Sequence, residues 1–263
     1  MRIDIDVAMQ YQLSESPMVM LNIEAAMIAG QGIVSQELRV QNATLNWIEG
    51  EGGLGQRIWA RVSGDQLQLT HKATVDVTRP PVVLEDLMAT PAHELPGAVL
   101  SYLRPSRFCQ SDLFTFFVGQ QFSGIEGGAK VLAIRDWVLA ELWYVPGSSN
   151  PETTATDTFA SRQGVCRDYA HMVCALARAA GIPARYASVY GAEVSPPDFH
   201  AVAEVWLEGQ WHLVDATGMC APEGLVIIAA GRDAGDVPFM ETYTPAQVIS
   251  QTISVVQRDS HLR

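Results

Sequence analysis

Apolar and polar residues alternate strictly over residues 2–13. Ile3, Ile5, Val7, Met9, Tyr11 and Leu13 fall on one side, and Arg2, Asp4, Asp6, Gln10 and Gln12 on the other. A period of two is that of a strand with one buried face. The pattern returns at Val19, Leu21, Ile23 and Ala25, within 37–48, at Ile58, Ala60 and Val62, and at Leu67, Leu69, His71, Ala73, Val75 and Val77. Gly-rich or polar stretches at 49–53 and 63–65 separate these runs, as turns between antiparallel strands do. The spacing predicts an antiparallel β-sandwich over residues 1–78. Pro80, Pro81, Pro91, Pro96 and Pro105 then interrupt any regular element, which predicts a linker over 79–106 lying along the surface.

Beyond the linker the period changes. Between Lys130 and Tyr144, Val131, Ile134, Val138 and Leu142 share one helical face with Trp137 beside them. Ala170, Val173, Cys174 and Ala177 do the same in a stretch that stops at Gly181 and Pro183, a residue tolerant of left-handed geometry followed by one that cannot continue a helix. Residues 184–190, 199–207 and 210–216 read as strands, with shorter ones near 225–229 and 252–257. The second half, 107–263, is therefore predicted to be α+β, with helices first and an antiparallel sheet after.

Composition narrows the partners. The 263 residues carry 29 Asp and Glu against 17 Lys and Arg, a formal charge of −12. That balance argues against nucleic acid and against anionic membrane surfaces. Charged residues are only 17%, below the roughly 25% usual in soluble domains. With 48% apolar residues, a homo-oligomer that covers some of the excess is one expectation. The longest apolar run, 225–230, is far shorter than the roughly 20 residues of a membrane helix. Arg2, Asp4 and Asp6 leave no continuous apolar segment at the start, so the expectation is a cytoplasmic protein whose Cys109, Cys166, Cys174 and Cys220 are thiols.

Cys166 follows Gly164-Val165 at the start of the second predicted helix. The free N–H groups and positive dipole end at a helix start favour an anion, and so a thiolate. A thiolate nucleophile needs a base that later acts as acid, and the base needs an orienting partner. Residues 198–215 read as a hairpin with Glu208-Gly209 as a two-residue turn, so Leu207 should face Gln210. In that register His200, Glu204 and Trp206 share a face with Trp211, Leu213 and Asp215, and Asp215 lies diagonal to His200, one pair inward. A slip of one residue would separate the two. Taken singly, each of these residues has a structural explanation: a buried thiol, a sheet histidine, a strand-end turn former. Arg167, Asp168 and His171 read as a solvated or cleft-edge helix face.

In order and spacing, residues 164–170 (Gly-Val-Cys-Arg-Asp-Tyr-Ala), 179–186 (Ala-Ala-Gly-Ile-Pro-Ala-Arg-Tyr), 199–206 (Phe-His-Ala-Val-Ala-Glu-Val-Trp) and 211–218 (Trp-His-Leu-Val-Asp-Ala-Thr-Gly) closely resemble the core of the transglutaminase-like superfamily. The resemblance runs from about Thr153 to Gly218. Residues 105–109 and 231–234 look like its bacterial branch of transglutaminase-like enzymes and cysteine proteases. It implies a papain-like α+β core, helices packed on an antiparallel sheet, behind the N-terminal β-sandwich. It also implies Cys166 as nucleophile, His200 as base and Asp215 as orienting carboxylate. Ala216 stands where the family usually has proline. No upstream tryptophan matches the one that helps bind the oxyanion in animal transglutaminases, since Trp137 sits inside a predicted helix; the Cys166 backbone N–H is one donor and the second is unassigned.

The implied chemistry is acyl transfer from peptide or protein amides, with no cofactor and no metal. Water as acceptor makes a protease or amidase, an amine a transglutaminase; without a calcium-loop signature the reading leans to hydrolysis. The rival is a non-catalytic peptide-binding or assembly module carrying a relic triad, against which the retention of all three residues speaks.

Overall fold

The computed structural model describes residues 1–14 and 17–258. The alternation at the start becomes β1 (Arg2–Leu13), which buries Ile3, Ile5, Val7, Met9 and Leu13. It is followed by β2 (Met18–Leu21), β3 (Gln31–Val40), β4 (Ala43–Glu49), β5 (Gln56–Val62) and β6 (Gln66–Val77). The single run over 37–48 is split between β3 and β4 because the chain turns at Asn42, whose φ of 51° suits a short polar side chain. β6 pairs with β1 on one side and β3 on the other, while β5 lies between β2 and β4.

The stretch 79–106, expected to hold no regular element, forms one helical turn, α1 (Gly97–Leu100); the second half then begins with α2 (Thr115–Gln121) and α3 (Gly127–Glu141). The helix predicted to reach Tyr144 ends at Glu141. Trp143 and Tyr144 form a short strand, β7 (Trp143–Tyr144), which runs parallel to β8 (Gln163–Gly164). Two bonds fix that pairing: Trp143 N–H donates to Arg162 O (2.8 Å) and Val145 N–H to Gly164 O (3.0 Å). Between these strands lies α4 (Ala155–Ser161), started by a reciprocal cap in which Thr154 N–H donates to Asp157 and Thr154 Oγ1 accepts from Asp157 N–H.

α5 (Cys166–Ala179) is the central element, flanked by α2, α3 and α4 and packed on an antiparallel sheet. The sheet comprises β9 (Ala184–Gly191), β10 (His200–Leu207), β11 (Gln210–Val214) and β12 (Leu225–Gly231), in the order β11-β10-β9-β12. Residues 79–106 lie against this core. Gly127 and Gly128 admit them: a Cβ on Gly128 would fall 1.6 Å from Leu84 O and one on Gly127 2.4 Å from Leu87 O, so only glycine permits the approach. Gly128 N–H then donates to Leu87 O at 2.8 Å.

The chain ends by returning to its beginning. β13 (Met240–Thr242) pairs with β2, and β14 (Ala246–Arg258) runs antiparallel along all of β1, from Arg2 opposite Arg258 to Leu13 opposite Ala246. The N-terminal sheets are thus β14-β1-β6-β3 and β13-β2-β5-β4, and residues 240–258, counted with the core on the linear division, complete them. The apolar faces of both sheets and the helical core belong to one continuous buried cluster, which includes Ile3, Ile58, Ile134 and Tyr190. Buried polar groups fasten the two halves: Tyr190 Oη donates to Ile23 O (2.6 Å), and Gln31 exchanges bonds with Ile227 (2.7 and 2.8 Å). No helix among the described residues is long and apolar enough to cross a membrane.

Candidate active site

The start of α5 is built around Asp168. Its carboxylate accepts from Val165 N–H at 2.8 Å, and a Cβ on Gly164 would lie 2.7 Å from Asp168 Cβ, so the tight entry needs glycine there. This sets Cys166 as the first residue of the helix, partly exposed, with the positive end of the helix dipole behind it. Asp168 and His171 differ from the solvated helix face predicted for them: both are fully buried, because elements cover α5 on several sides. His171 Nε2 accepts from Ala234 N–H (3.1 Å) and its ring stacks on Phe108, with centroids 5.4 Å apart. Burial, followed by the charges of Arg167 and Arg178, pushes His171 well below the usual histidine range, so it is a neutral fastener of the 231–236 segment.

The hairpin adopts the register that a two-residue turn dictates. Glu208 (φ 47°) and Gly209 (φ 79°) make the turn, Leu207 faces Gln210, Trp206 faces Trp211 and Ala203 faces Val214. Trp206 and Trp211 pack edge to face at 5.2 Å. One step beyond the ladder, His200 Nε2 lies 2.9 Å from Asp215 Oδ2, with both side chains buried. Asp215 is itself held: Oδ1 accepts from Thr217 N–H (2.8 Å) and Oγ1 (2.6 Å), and Oδ2 from Cys220 N–H (3.1 Å). These bonds fix the loop at Ala216 without a proline. Glu204, on the same face, is committed elsewhere, 2.6 Å from Arg185 Nε.

With Nε2 engaged by Asp215, Nδ1 is the nitrogen left for the Cys166 thiol, which lies close enough to raise the ring's basicity. Burial pulls His200 down, but the bond to Asp215, then the contact with Cys166 and the charges of both, push it up to about 9. Burial likewise raises Asp215, and the bonds from His200 and Thr217 outweigh it, leaving the carboxyl below the usual range. The three residues named from the sequence therefore meet at one point.

Tyr144 joins them unannounced. The β7–β8 ladder sets it opposite Gly164, two residues before Cys166, and its ring lies 5.8 Å from that of Tyr169. Its hydroxyl lies beside Cys166, whose backbone and thiol are both close enough to influence its ionisation. Burial and the Cys166 charge push Tyr144 up to about 12, so it stays a protonated donor over the neutral range. A sequence signal was present: Leu142-Trp143-Tyr144-Val145 is a β-rich run ended by Pro146-Gly147.

A cleft of about 650 Å³ opens over Cys166, with Phe108 and Tyr186 of the core in its lining and Met9, Tyr11, Met240 and Gln251 contributed by the N-terminal sheets. Cys109 and Cys174 are fully buried, and Cys220 is buried beside Asp215. Among the described residues, no group of three or more His, Cys, Asp or Glu side chains is arranged to hold a metal ion.

Compared with known proteins, residues 121–216 match the model of the transglutaminase-like superfamily, a span that holds Tyr144, Cys166, His200 and Asp215. The crystal structure of a candidate cysteine protease from Cytophaga hutchinsonii is similar over 100% of this chain and 92% of that one, with 32% sequence identity and a TM-score of 0.92. An uncharacterized protein of Mycobacterium leprae is 28% identical over 145 residues, 51% of this chain and 52% of that protein, so the match spans about half its length. An uncharacterized protein of Mycobacterium tuberculosis is 27% identical over 221 residues, 72% of this chain and 70% of the relative.

Proposed function

The chain belongs to the transglutaminase-like superfamily, and from that premise we propose that it is a cysteine-dependent acyl-transfer enzyme that hydrolyses amide bonds of peptides or proteins. The observation that carries the reading is the position of His200, bonded through Nε2 to Asp215 and in contact with the Cys166 thiol on its other side.

In the reaction His200 takes the Cys166 proton and the thiolate attacks the amide carbonyl, forming a C–S bond. The carbonyl oxygen becomes an oxyanion that accepts from the Cys166 backbone N–H and the Tyr144 hydroxyl. The imidazolium, stabilised by Asp215, gives its proton to the departing amine, and the C–N bond breaks. Water, deprotonated by His200, then attacks the thioester, and the carboxylic acid leaves as the thiol is restored. Hydrolysis is favoured over transfer to an amine by the likeness to the Cytophaga hutchinsonii protein. Cytoplasmic residence is supported by four cysteines that stand as free thiols.

The test is a panel of peptide amides with purified protein, read by mass spectrometry. An acyl adduct on Cys166, one rapidly alkylated thiol out of four, and no turnover by Cys166→Ala are expected. Substantial turnover by a folded Cys166→Ala protein overturns the reading.

A further inference from the structure

The cleft over Cys166 is not made by the catalytic core alone. β1 contributes Met9 and Tyr11, β13 contributes Met240, and β14 contributes Gln251. The side of the cleft next to His200 is aromatic: Phe199, its chain neighbour, stacks on Phe239 with centroids 4.2 Å apart and planes 25° from parallel. Phe199, Phe239 and Met240 are all half-buried, so each keeps apolar surface open to the cavity. Charged and polar residues line the rest of the cleft, Arg107, Glu152 and Arg167 among them, with Asp198 and Glu241 at the edge of the aromatic pair.

This wall is tied to the reacting groups. Tyr11 Oη donates to Gln251 Oε1 (2.9 Å), Gln251 Nε2 donates to Asp198 Oδ1 (3.1 Å), and Asp198 Oδ1 accepts from Phe199 N–H (2.8 Å). The chain of bonds runs from β1 through β14 to the residue preceding His200. It ties the Phe199 backbone, the residue before the base, to β1 and β14.

A preformed, half-open apolar surface next to the nucleophile gains most from a substrate group that buries it. We propose that the Phe199–Phe239 pair, closed off by Tyr11 and Met240 of the N-terminal sheets, forms the seat for a bulky apolar side chain of the substrate, on a residue adjoining the scissile amide. The substrate class is then peptides with phenylalanine, leucine or a similar residue at the cleavage point, and this shared wall sets specificity. The inference rests on the acyl-transfer reading above.

The experiment measures kcat/KM of the full chain on matched peptide amides that carry Phe, Leu, Ala or Asp on either side of the bond, together with the rate of Cys166 alkylation by iodoacetamide. Apolar seats discriminate by roughly 10–200-fold per lost group, so Phe or Leu should exceed Ala by about a hundredfold on one side of the bond. Phe239→Ala should narrow that ratio tenfold or more, roughly, while Cys166 still alkylates rapidly. Met240→Ala, at an edge-strand position, gives the same readout if Phe239→Ala does not fold. Rapid alkylation with equal turnover of Ala and Phe peptides overturns the seat and leaves the acyl-transfer reading standing. An unreactive Cys166 with no turnover of any peptide overturns both.

Discussion

Oδ2 of Asp215, just past the end of β11, and Nε2 of His200, at the start of β10, stand 2.9 Å apart, with neither exposed to solvent. The carboxylate therefore selects the tautomer of a ring that has only Nδ1 left for the thiol. Asp215→Asn should lower turnover by about two to four orders of magnitude. Its stability should fall as well, by about 1–3 kcal/mol, because an amide cannot satisfy the donors of His200, Thr217 and Cys220 together. Steady-state kinetics and thermal unfolding check both; near-normal turnover would remove Asp215 from the mechanism.

Protonation of His200 links catalysis to pH. Its value of about 9 lies above the ordinary 6.5, so the stability it contributes is fully present below pH 6.5 and is lost as pH rises through 9. The shift corresponds to about 3 kcal/mol. Urea titrations at pH 6.5 and 9.5 should differ by an amount of that order, and turnover should decline through the same alkaline window as the leaving group loses its acid. A flat stability profile across it would show that His200 is not held as an imidazolium.

Tyr144→Phe separates oxyanion binding from thiol reactivity. Alkylation by iodoacetamide develops no carbonyl oxyanion, whereas amide attack does. The variant should lose about two orders of magnitude in kcat and still alkylate at Cys166. Equal losses in both assays would make Tyr144 a prop for the thiol instead.

Ending the chain after residue 245 removes β14 and uncovers its partner. Ile253 and Val255 are buried in the N-terminal sheet, and each contributes about 1.5–3 kcal/mol by that burial. Against a total domain stability of roughly 5–15 kcal/mol, the shortened chain should melt markedly lower or not fold at all. An unchanged melting temperature would mean that β1 needs no outer neighbour.

Local physics made some of this legible in the sequence. Alternation from Ile3 to Leu13 could only be a one-faced strand, and a two-residue turn at Glu208-Gly209 leaves one register, from which His200 and Asp215 follow. Features set by distant contacts were not legible. Tyr144 ends a stretch whose apolar spacing at 131, 134, 138 and 142 reads as a helix, but β8 pairs with it and sets it outside α3. Asp168 and His171 sit where an amphipathic helix would show its polar face; α5 instead has neighbours on several sides, and Val165 N–H meets the Asp168 carboxylate and Ala234 N–H the His171 Nε2, while His171 Nδ1 is buried without a hydrogen-bond partner. The pairing of β14 with β1 joins residues about as far apart as the chain allows, and neither strand's own pattern names its partner.

That pairing also orders events in time. Tyr11 and Gln251, hydrogen-bonded in the finished molecule, are separated by 240 positions, which a ribosome adding roughly 5–20 residues per second covers in about ten to fifty seconds. Throughout that interval the growing polypeptide already contains Tyr11 and then, in turn, Cys166, His200 and Asp215, while the strand that braces the wall beside them has yet to be made. The outer edge of β1 is open for the same span, so the nascent chain is at its most adhesive just before it closes. Cys166 thus leaves the ribosome well before Gln251, and the pairing of β14 with β1 waits until both strands have been made.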